Sequence, residues 1–392
     1  MPIVSRTLNC CIIGCIAAFL TASLVLCPHS GKASHEDVSL REIELKVAPG
    51  GDLLLLPVTI HDRKYSFLLD TGATGNAYDI SLLPSAKPIR TAISRTFSGK
   101  ASVPIYVGPK SNVASMPLEH GEGITISNLK ALSIATGYNV KGMIGMSHLR
   151  NHIVQIDFDR GIVRFLEKES RLEGERFELS TDLGVYSINV KLGTTESAAV
   201  IVDTGFNNEL SLESGVFDLV RFSGELKESR PRRYRSVSAN GVVSSTRRGT
   251  LAELSFGTFN FTEVAVSRSN GINAIGLALL SRFLVTFDFP NQKLYLKPGK
   301  TFGRPSWRDA SGFSMMVKED RVVIVDVDTG SAAAGIGIED GDILLEVDGR
   351  DARKSSLFEL RVLFSHAGEK HRLKVQRGEE VRTHEILLRE LD

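Results

Sequence analysis

Phe67-Leu68-Leu69-Asp70-Thr71-Gly72 is an apolar run closing on Asp-Thr-Gly, and the chain repeats it as Val200-Ile201-Val202-Asp203-Thr204-Gly205. At ordinary composition such a tripeptide arises about once in a few thousand positions. Two copies within 392 residues, each at the end of a strand-like segment, therefore point to duplication. The chemistry of the pair is specific as well. Two carboxylates brought face to face cannot both ionise, and the proton they share makes them an acid–base couple.

The surroundings of the two tripeptides repeat too. Met143-Ile144-Gly145 follows Asp70, and Ala274-Ile275-Gly276 follows Asp203 at almost the same spacing (145 − 70 = 75 against 276 − 203 = 73). Each glycine leads to a matching segment, Val154-Gln155-Ile156-Asp157-Phe158 or Val285-Thr286-Phe287-Asp288-Phe289. The aspartates of these segments lie equally far beyond their glycines (157 − 145 = 288 − 276 = 12). A period of roughly 130 residues is too long for a solenoid repeat and marks a duplicated domain. Each copy supplies one carboxylate, and a pseudo-two-fold axis would set them opposite each other.

Period-two alternation dominates both copies. It runs through Ile43, Leu45 and Val47, through Leu54, Leu56, Val58 and Ile60, and again from Val185 to Leu192 and from Ala198 to Val202. Each copy closes with a hairpin, turning at Asp159-Arg160-Gly161 or Pro290-Asn291-Gln292. Asp157 and Asp288 start those turns and read as structural. The charged stretch from Glu167 to Arg176 is a solvated linker between the copies, and Lys297 to Pro305 ends the second.

The apolar-Asp-Thr-Gly plus apolar-apolar-Gly pattern, present twice, resembles the retropepsin-like and pepsin-like aspartic proteases over residues 41–299. The resemblance implies a mainly β fold with two tandem acid-protease β-barrel lobes, at 41–168 and 177–299. It implies Asp70 and Asp203 as the catalytic dyad of an endopeptidase, with water held between them. Thr71 and Thr204 would lock the two loops together, and Gly72 and Gly205 would allow close backbone approach. Gly145 and Gly276 would let the chain pass beneath the loops. A hairpin flap is implied in each lobe, with Asn240 and Gly241 as candidates in the second and Gly99 in the first. After the glycine, pepsins carry a hydroxyl residue that donates to the carboxylate, whereas here the positions are Ala73 and Phe206. Ala is the retroviral choice, and the missing donors predict raised dyad pKa values with activity in the mildly acidic range. No cofactor or metal is implied, and the partner is a protein or peptide substrate. The competing reading keeps the fold but not the activity: decayed lobes serving as a scaffold.

A third unit spans 307–392. Gly330-Ser331-Ala332-Ala333-Ala334-Gly335-Ile336 precedes Gly341-Asp342-Ile343-Leu344-Leu345-Glu346-Val347-Asp348-Gly349. This order resembles the PDZ domains of bacterial exported proteases, an α+β fold. Ser356-Leu357-Phe358-Glu359 fits a capping box opening a helix through Phe364. The resemblance implies a peptide groove between that helix and the strand after Ser311-Gly312-Phe313-Ser314. Gly312, Phe313 and Ser314 would be its peptide-binding residues, an incoming strand adding to the sheet edge. The loop departs from the usual Gly-Leu-Gly-Phe, so a terminal carboxylate, an internal segment and an autoregulatory role all stay open.

Residues 1–33 read as a targeting segment. Arg6 precedes an apolar stretch at 8–26, and Gly31-Lys32-Ala33 offers small residues at cleavage positions. That apolar stretch is also long enough for an uncleaved membrane anchor. Either way the body is expected to be exported to a periplasmic or other extracytoplasmic compartment. Cys10, Cys11, Cys15 and Cys27 are the chain's four cysteines, so the rest has neither disulfides nor zinc–thiolate sites. A net charge of +1 gives no reason to expect a nucleic-acid partner. Arg230, Arg232, Arg233, Arg235, Arg247 and Arg248 near the second flap read as a solvated face or an acidic-substrate preference. His148 and His152 have a helical i, i+4 spacing that could share a metal, but no third ligand accompanies them.

Overall fold

Leu56, Val58 and Ile60 are buried while Pro57 between them is exposed, the pleat that the alternation predicts for strand Leu55–Ile60. His61 and Asp62 both have positive φ (45° and 63°), the requirement of a two-residue type I′ turn, and return the chain as strand Arg63–Leu69. The computed structural model describes residues 43–390, apart from 97–98, 183, 195, 230–234, 239–240, 245–246 and 307. Residues 1–33, expected from the sequence to be a targeting segment or membrane anchor, and Asn240 lie outside the described residues. No helix among the described residues is long and apolar enough to cross a membrane.

Three large sheets and two two-stranded hairpins make up the described part of residues 43–298. The first lobe's sheet orders its strands Met116–Pro117, Ser111–Val113, Leu55–Ile60, Arg63–Leu69, Val140–Ile144, Ala77–Asp79, Thr125–Ser127. The second lobe's sheet runs Ser180–Asp182, Val185–Leu192, Glu196–Val202, Ala274–Ile275, Leu210–Glu213, Phe259–Ser269, Arg248–Phe256, Leu226–Glu228. Arg248–Phe256 also pairs with Val185–Leu192, curling that sheet towards a barrel.

The third sheet belongs to both copies. Its order is Ile43–Lys46, Ile162–Leu166, Ile153–Asp157, Phe283–Asp288, Lys293–Pro298, Glu175–Glu178. The two closing hairpins meet at its centre, with Val154 opposite Phe287, Gln155 opposite Thr286 and Ile156 opposite Val285. Gln155 Nε2 donates to Thr286 Oγ1 at 3.1 Å across that seam. The outer strands obey the same symmetry, since the strand preceding each lobe packs on the hairpin that ends it. Ile43–Lys46, which alternation alone groups with the first lobe's strands, thus sits in the shared sheet. One continuous apolar core runs through both lobes and this sheet, whereas residues 310–388 enclose a separate one.

The C-terminal unit is a sheet ordered Ser314–Lys318, Arg321–Val325, Ile343–Val347, Lys370–Arg377, Glu380–Leu387, with Arg350–Asp351 paired to Ile343–Val347. Helices Ala332–Gly335 and Leu357–Leu363 pack on it. The second helix opens with the expected capping box, Glu359 N donating to Ser356 Oγ at 3.1 Å and Ser356 N to Glu359 Oε2 at 2.7 Å.

Phe287 tests the shared sheet. It is fully buried at the seam and stacks on Phe289 with ring centroids 5.0 Å apart. Phe287→Ala is expected to cost about 3–5 kcal/mol. Urea unfolding followed by hydrogen exchange should show both lobes losing protection together.

Candidate active site

Each Asp-Thr-Gly loop leaves a strand supported by the same topology. Arg63–Leu69 runs parallel to Val140–Ile144, which lies antiparallel to Ala77–Asp79, and Glu196–Val202 repeats this with Ala274–Ile275 and Leu210–Glu213. The Asp70 N–H donates to Ile144 O and the Asp203 N–H to Ile275 O, both at 2.9 Å. Just beyond, Met146 N donates to Ala73 O at 2.8 Å and Leu277 N to Phe206 O at 2.7 Å. A side chain on Gly145 would strike the carbonyls of Ala73 and Gly75, and one on Gly276 those of Phe206 and Asn208. Both glycines therefore lie directly beneath the loops.

The threonines grip across the axis. Thr71 Oγ1 donates to Val202 O at 2.6 Å and accepts from Thr204 N at 3.0 Å. Thr204 Oγ1 donates to Leu69 O at 2.8 Å and accepts from Thr71 N at 3.1 Å. Both residues are buried. The grip brings each carboxyl against the opposite glycine: a Cβ on Gly72 would overlap the Asp203 carboxyl, and one on Gly205 would lie 2.5 Å from Asp70 Cγ. Any larger residue at either place would push the pair apart.

Asp70 and Asp203 hydrogen-bond to each other. The two are not equivalent. Asp70 is half-buried; its carboxylate accepts from Gly72 N at 3.0 Å and its main-chain carbonyl from Ala73 N at 3.3 Å. Asp203 is 3 % exposed and accepts from Gly205 N at 2.7 Å. Burial pushes Asp70 up to about 6, and pushes Asp203 well above the ordinary range, where the neighbouring Asp70 charge raises it further. Both carboxyls thus resist ionisation, and the pair titrates as a unit.

Three supporting residues escaped the sequence reading. Asn76 Oδ1 accepts from Gly145 N at 2.9 Å, and its Nδ2 donates to Glu119 O at 2.8 Å. At the equivalent position, Glu209 O accepts from Gly276 N at 3.0 Å. The Glu209 carboxylate forms a buried ion pair with Arg282 and accepts from Ala265 N at 2.9 Å. The shared offset of Asn76 and Glu209 from their aspartates (76 − 70 = 209 − 203 = 6) was the available signal.

The dyad lies in an open cleft of roughly 3000 Å³. Strands Arg90–Thr96 and Gly99–Ile105 form a hairpin, with Thr96 opposite Gly99, and Arg90, Ile93 and Val103 from it line the cleft. Gly241 opens the return strand of the second hairpin, Arg235–Ser238 with Gly241–Ser244. That hairpin reaches helix Lys130–Thr136 of the first lobe. Of the arginines noted near it, Arg247 pairs with Glu228 and with Asp218 at 3.3 Å, within a network that includes Arg221 and Arg268. The side chains of Arg230, Arg232, Arg233 and Arg235 lie outside the described residues.

His148 and His152 do meet, ring centroids 4.6 Å apart, but helix Met146–Leu149 ends before His152. Among the described residues no group of three His, Cys, Asp or Glu is placed to hold a metal. Burial pushes His148 down to about 3, so it stays neutral and accepts from Glu119 N at 3.3 Å. Asp157 and Asp288 accept from the amides of Arg160 and Asn291 in the hairpin turns.

In the C-terminal unit, Ser314 begins the edge strand, whereas Phe313 is buried against Phe364 with ring centroids 5.2 Å apart. Gly312 has φ +81°, and a Cβ there would overlap Ser331. Its N–H is already held by Asp309.

Thr71→Val tests the grip. It orphans Val202 O and Thr204 N–H, at about 1–3 kcal/mol for each buried group left unpaired. Thr71→Ser should retain most of the stability. Denaturant titrations are expected to give a Thr71→Val/Thr204→Val double variant that loses less than the sum of the singles, because the bonds form one network.

Residues 311–388 match the PDZ domain family, which places a PDZ domain at the C-terminus. No curated protein matches the chain in sequence. Among solved structures, the aspartic proteinase from Irpex lacteus is similar at 15% sequence identity and a TM-score of 0.42, over 68% of this chain and 99% of that one.

Proposed function

We propose that this chain is an aspartic-type endopeptidase, exported on the strength of Arg6 and the apolar segment 8–26, with a PDZ domain that recognises peptides. One observation carries the reading: two Asp-Thr-Gly carboxyls from a duplicated topology are locked into mutual hydrogen-bonding contact at the floor of an open cleft. A scaffold has no use for that arrangement, since desolvating two carboxyls side by side costs stability.

The greater exposure of Asp70 supports giving it the role of base and Asp203 that of acid. Asp70, charged and the more exposed, takes a proton from a water as its oxygen attacks the scissile carbonyl carbon. Asp203 gives its proton to the carbonyl oxygen, producing a tetrahedral gem-diol. On collapse Asp203 recovers a proton from one hydroxyl, Asp70 delivers its own to the amide nitrogen, and the C–N bond breaks. The dyad ends with one proton, as it began.

The working form is singly protonated, so activity requires a pH between the pair's two macroscopic pKa values. Burial raises both carboxyls, and both limbs of the bell move to higher pH. Ala73 and Phe206 supply no hydroxyl to oppose that shift. The acid limb is expected near the value of about 6 to which Asp70 is pushed, which carries the optimum closer to neutrality than the missing hydroxyls alone suggest.

Hydrolysis of a denatured protein mixture, with and without a pepstatin-type inhibitor, tests the proposal. Asp70→Asn and Asp203→Asn are each expected to lower the rate by on the order of 10²–10⁴-fold. Undiminished hydrolysis in both variants, or an optimum near pH 2, would overturn it. Because one chain supplies both carboxyls, specific activity should also stay constant on dilution; activity that tracks dissociation of a dimer would reject the intramolecular dyad.

A further inference from the structure

The PDZ groove lies between edge strand Ser314–Lys318, paired on one side only with Arg321–Val325, and helix Leu357–Leu363. The loop that would hold a terminal carboxylate is already satisfied from within. Ser311 N and Gly312 N donate to the Asp309 carboxylate at 3.1 and 2.9 Å, and Phe313 N donates to Ser311 Oγ at 3.3 Å. A side-chain carboxylate of the domain itself thus occupies the place of a ligand's terminus.

The groove is also engaged by the first lobe. Helix Lys130–Thr136 packs against strand Ser314–Lys318 and ends at Gly137, where φ is +78°. A Cβ on Gly137 would lie 3.1 Å from Val317 Cγ2 and 3.4 Å from Leu357 Cγ, so this turn sits between the two walls of the groove. Arg361 ties the arrangement together, its Nη2 donating to Ala135 O at 2.9 Å and to Met315 O at 3.4 Å. A cation from one wall thus reaches the other wall and the inserted turn at once.

We propose that this groove is a docking site for an internal, extended peptide segment carrying apolar side chains and an acidic group, and that the Ala135–Gly137 turn is its resident competitor. The edge strand offers backbone pairing, Val317 and Leu357 offer apolar contact, and Arg361 brings a positive charge that favours an acidic ligand. A free C-terminus would find the amides of Ser311, Gly312 and Phe313 already engaged. Met316, Phe358 and Arg361 line the same open cleft as Asp70 and Asp203. The turn lowers apparent affinity by the fraction of molecules in which it is seated.

The absence of cysteine beyond Cys27 makes a cross-linking test clean. In the full chain with Cys10→Ser, Cys11→Ser, Cys15→Ser and Cys27→Ser, Gly137→Cys and Val317→Cys are introduced, because a Cβ on Gly137 would lie 3.1 Å from Val317 Cγ2. Asp203→Asn is added to prevent cleavage of the probe. The probe is a fluorescein-labelled octapeptide of alternating valine and glutamate, prepared with a free or an amidated C-terminus. The reduced protein is expected to bind both forms equally, and the oxidised protein at least about tenfold more weakly. Failure of the disulfide to form, equal binding in the two redox states, no binding to the reduced protein, or a strong preference for the free carboxylate would each overturn the proposal. Hydrogen exchange on the unmodified chain decides independently if the double-cysteine variant fails to fold. The probe should slow exchange in residues 314–318 and speed it in 130–137, and unchanged exchange in 130–137 rejects the competition. None of these readouts involves peptide-bond hydrolysis, so they stand or fall apart from the dyad.

Discussion

Two threonine hydroxyls, each donating to a carbonyl of the opposite strand and accepting an amide of the opposite loop, are the constraint on which the site depends. Buried hydrogen bonds of this kind are expensive to leave unmade, so the two loops have one sharply favoured relative position. That position sets each carboxyl against the facing glycine and brings the pair into contact. The shared sheet beneath supplies the matching geometry at the level of the backbone, since the strands at its centre come one from each copy. The glycines under the loops, Gly145 and Gly276, then close the remaining space. Sheet, glycines and hydroxyls together hold two carboxyls where electrostatics alone would separate them.

Local patterns made much of this legible. The Asp-Thr-Gly pair stood out because each copy repeats a strand, a turn and a later apolar-apolar-Gly step, and the capping box at Ser356 because its signal is confined to one short stretch. The pairing of Ile153–Asp157 with Phe283–Asp288 was not legible, because alternation tells which face of a strand is buried and not which strand lies beside it. Glu209 and Arg282 were invisible for a related reason: a buried ion pair joins positions far apart in the chain, and each residue alone reads as surface. Asp309 escaped notice because nothing in its neighbourhood announces that its carboxylate will turn back on the loop after it. The expectation of a targeting segment at 1–33 and of a flap tip at Asn240 rests on sequence alone.

The PDZ domain is attached to both lobes by different means. Its leading segment is held on the second lobe, where Arg308 Nη2 donates to Glu263 O at 2.7 Å and Ser306 Oγ to the same carbonyl at 3.2 Å. Glu263 has φ +55°, a conformation uncommon for a residue with a side chain, and marks a kink in its long strand. The groove end of the domain meets the first lobe through Arg361 and Ala135. Helix Lys130–Thr136 is thus touched by the PDZ edge strand and by the second lobe's hairpin. A movement of that helix is felt in all three units.

Fusion of the two copies into one chain has a consequence for how such a site can change. In an assembly of two identical chains every substitution enters twice, once on each side of the axis, and the two carboxyls keep the same average surroundings. Here each lobe mutates by itself. Ala73 follows one loop where Phe206 follows the other, and a neutral Asn76 stands where the second lobe has a charged Glu209 paired with Arg282. Inequality of this kind accumulates one residue at a time, without passing through a doubled intermediate. Two carboxyls that a symmetric pair must treat alike can in this way come to stand in different surroundings.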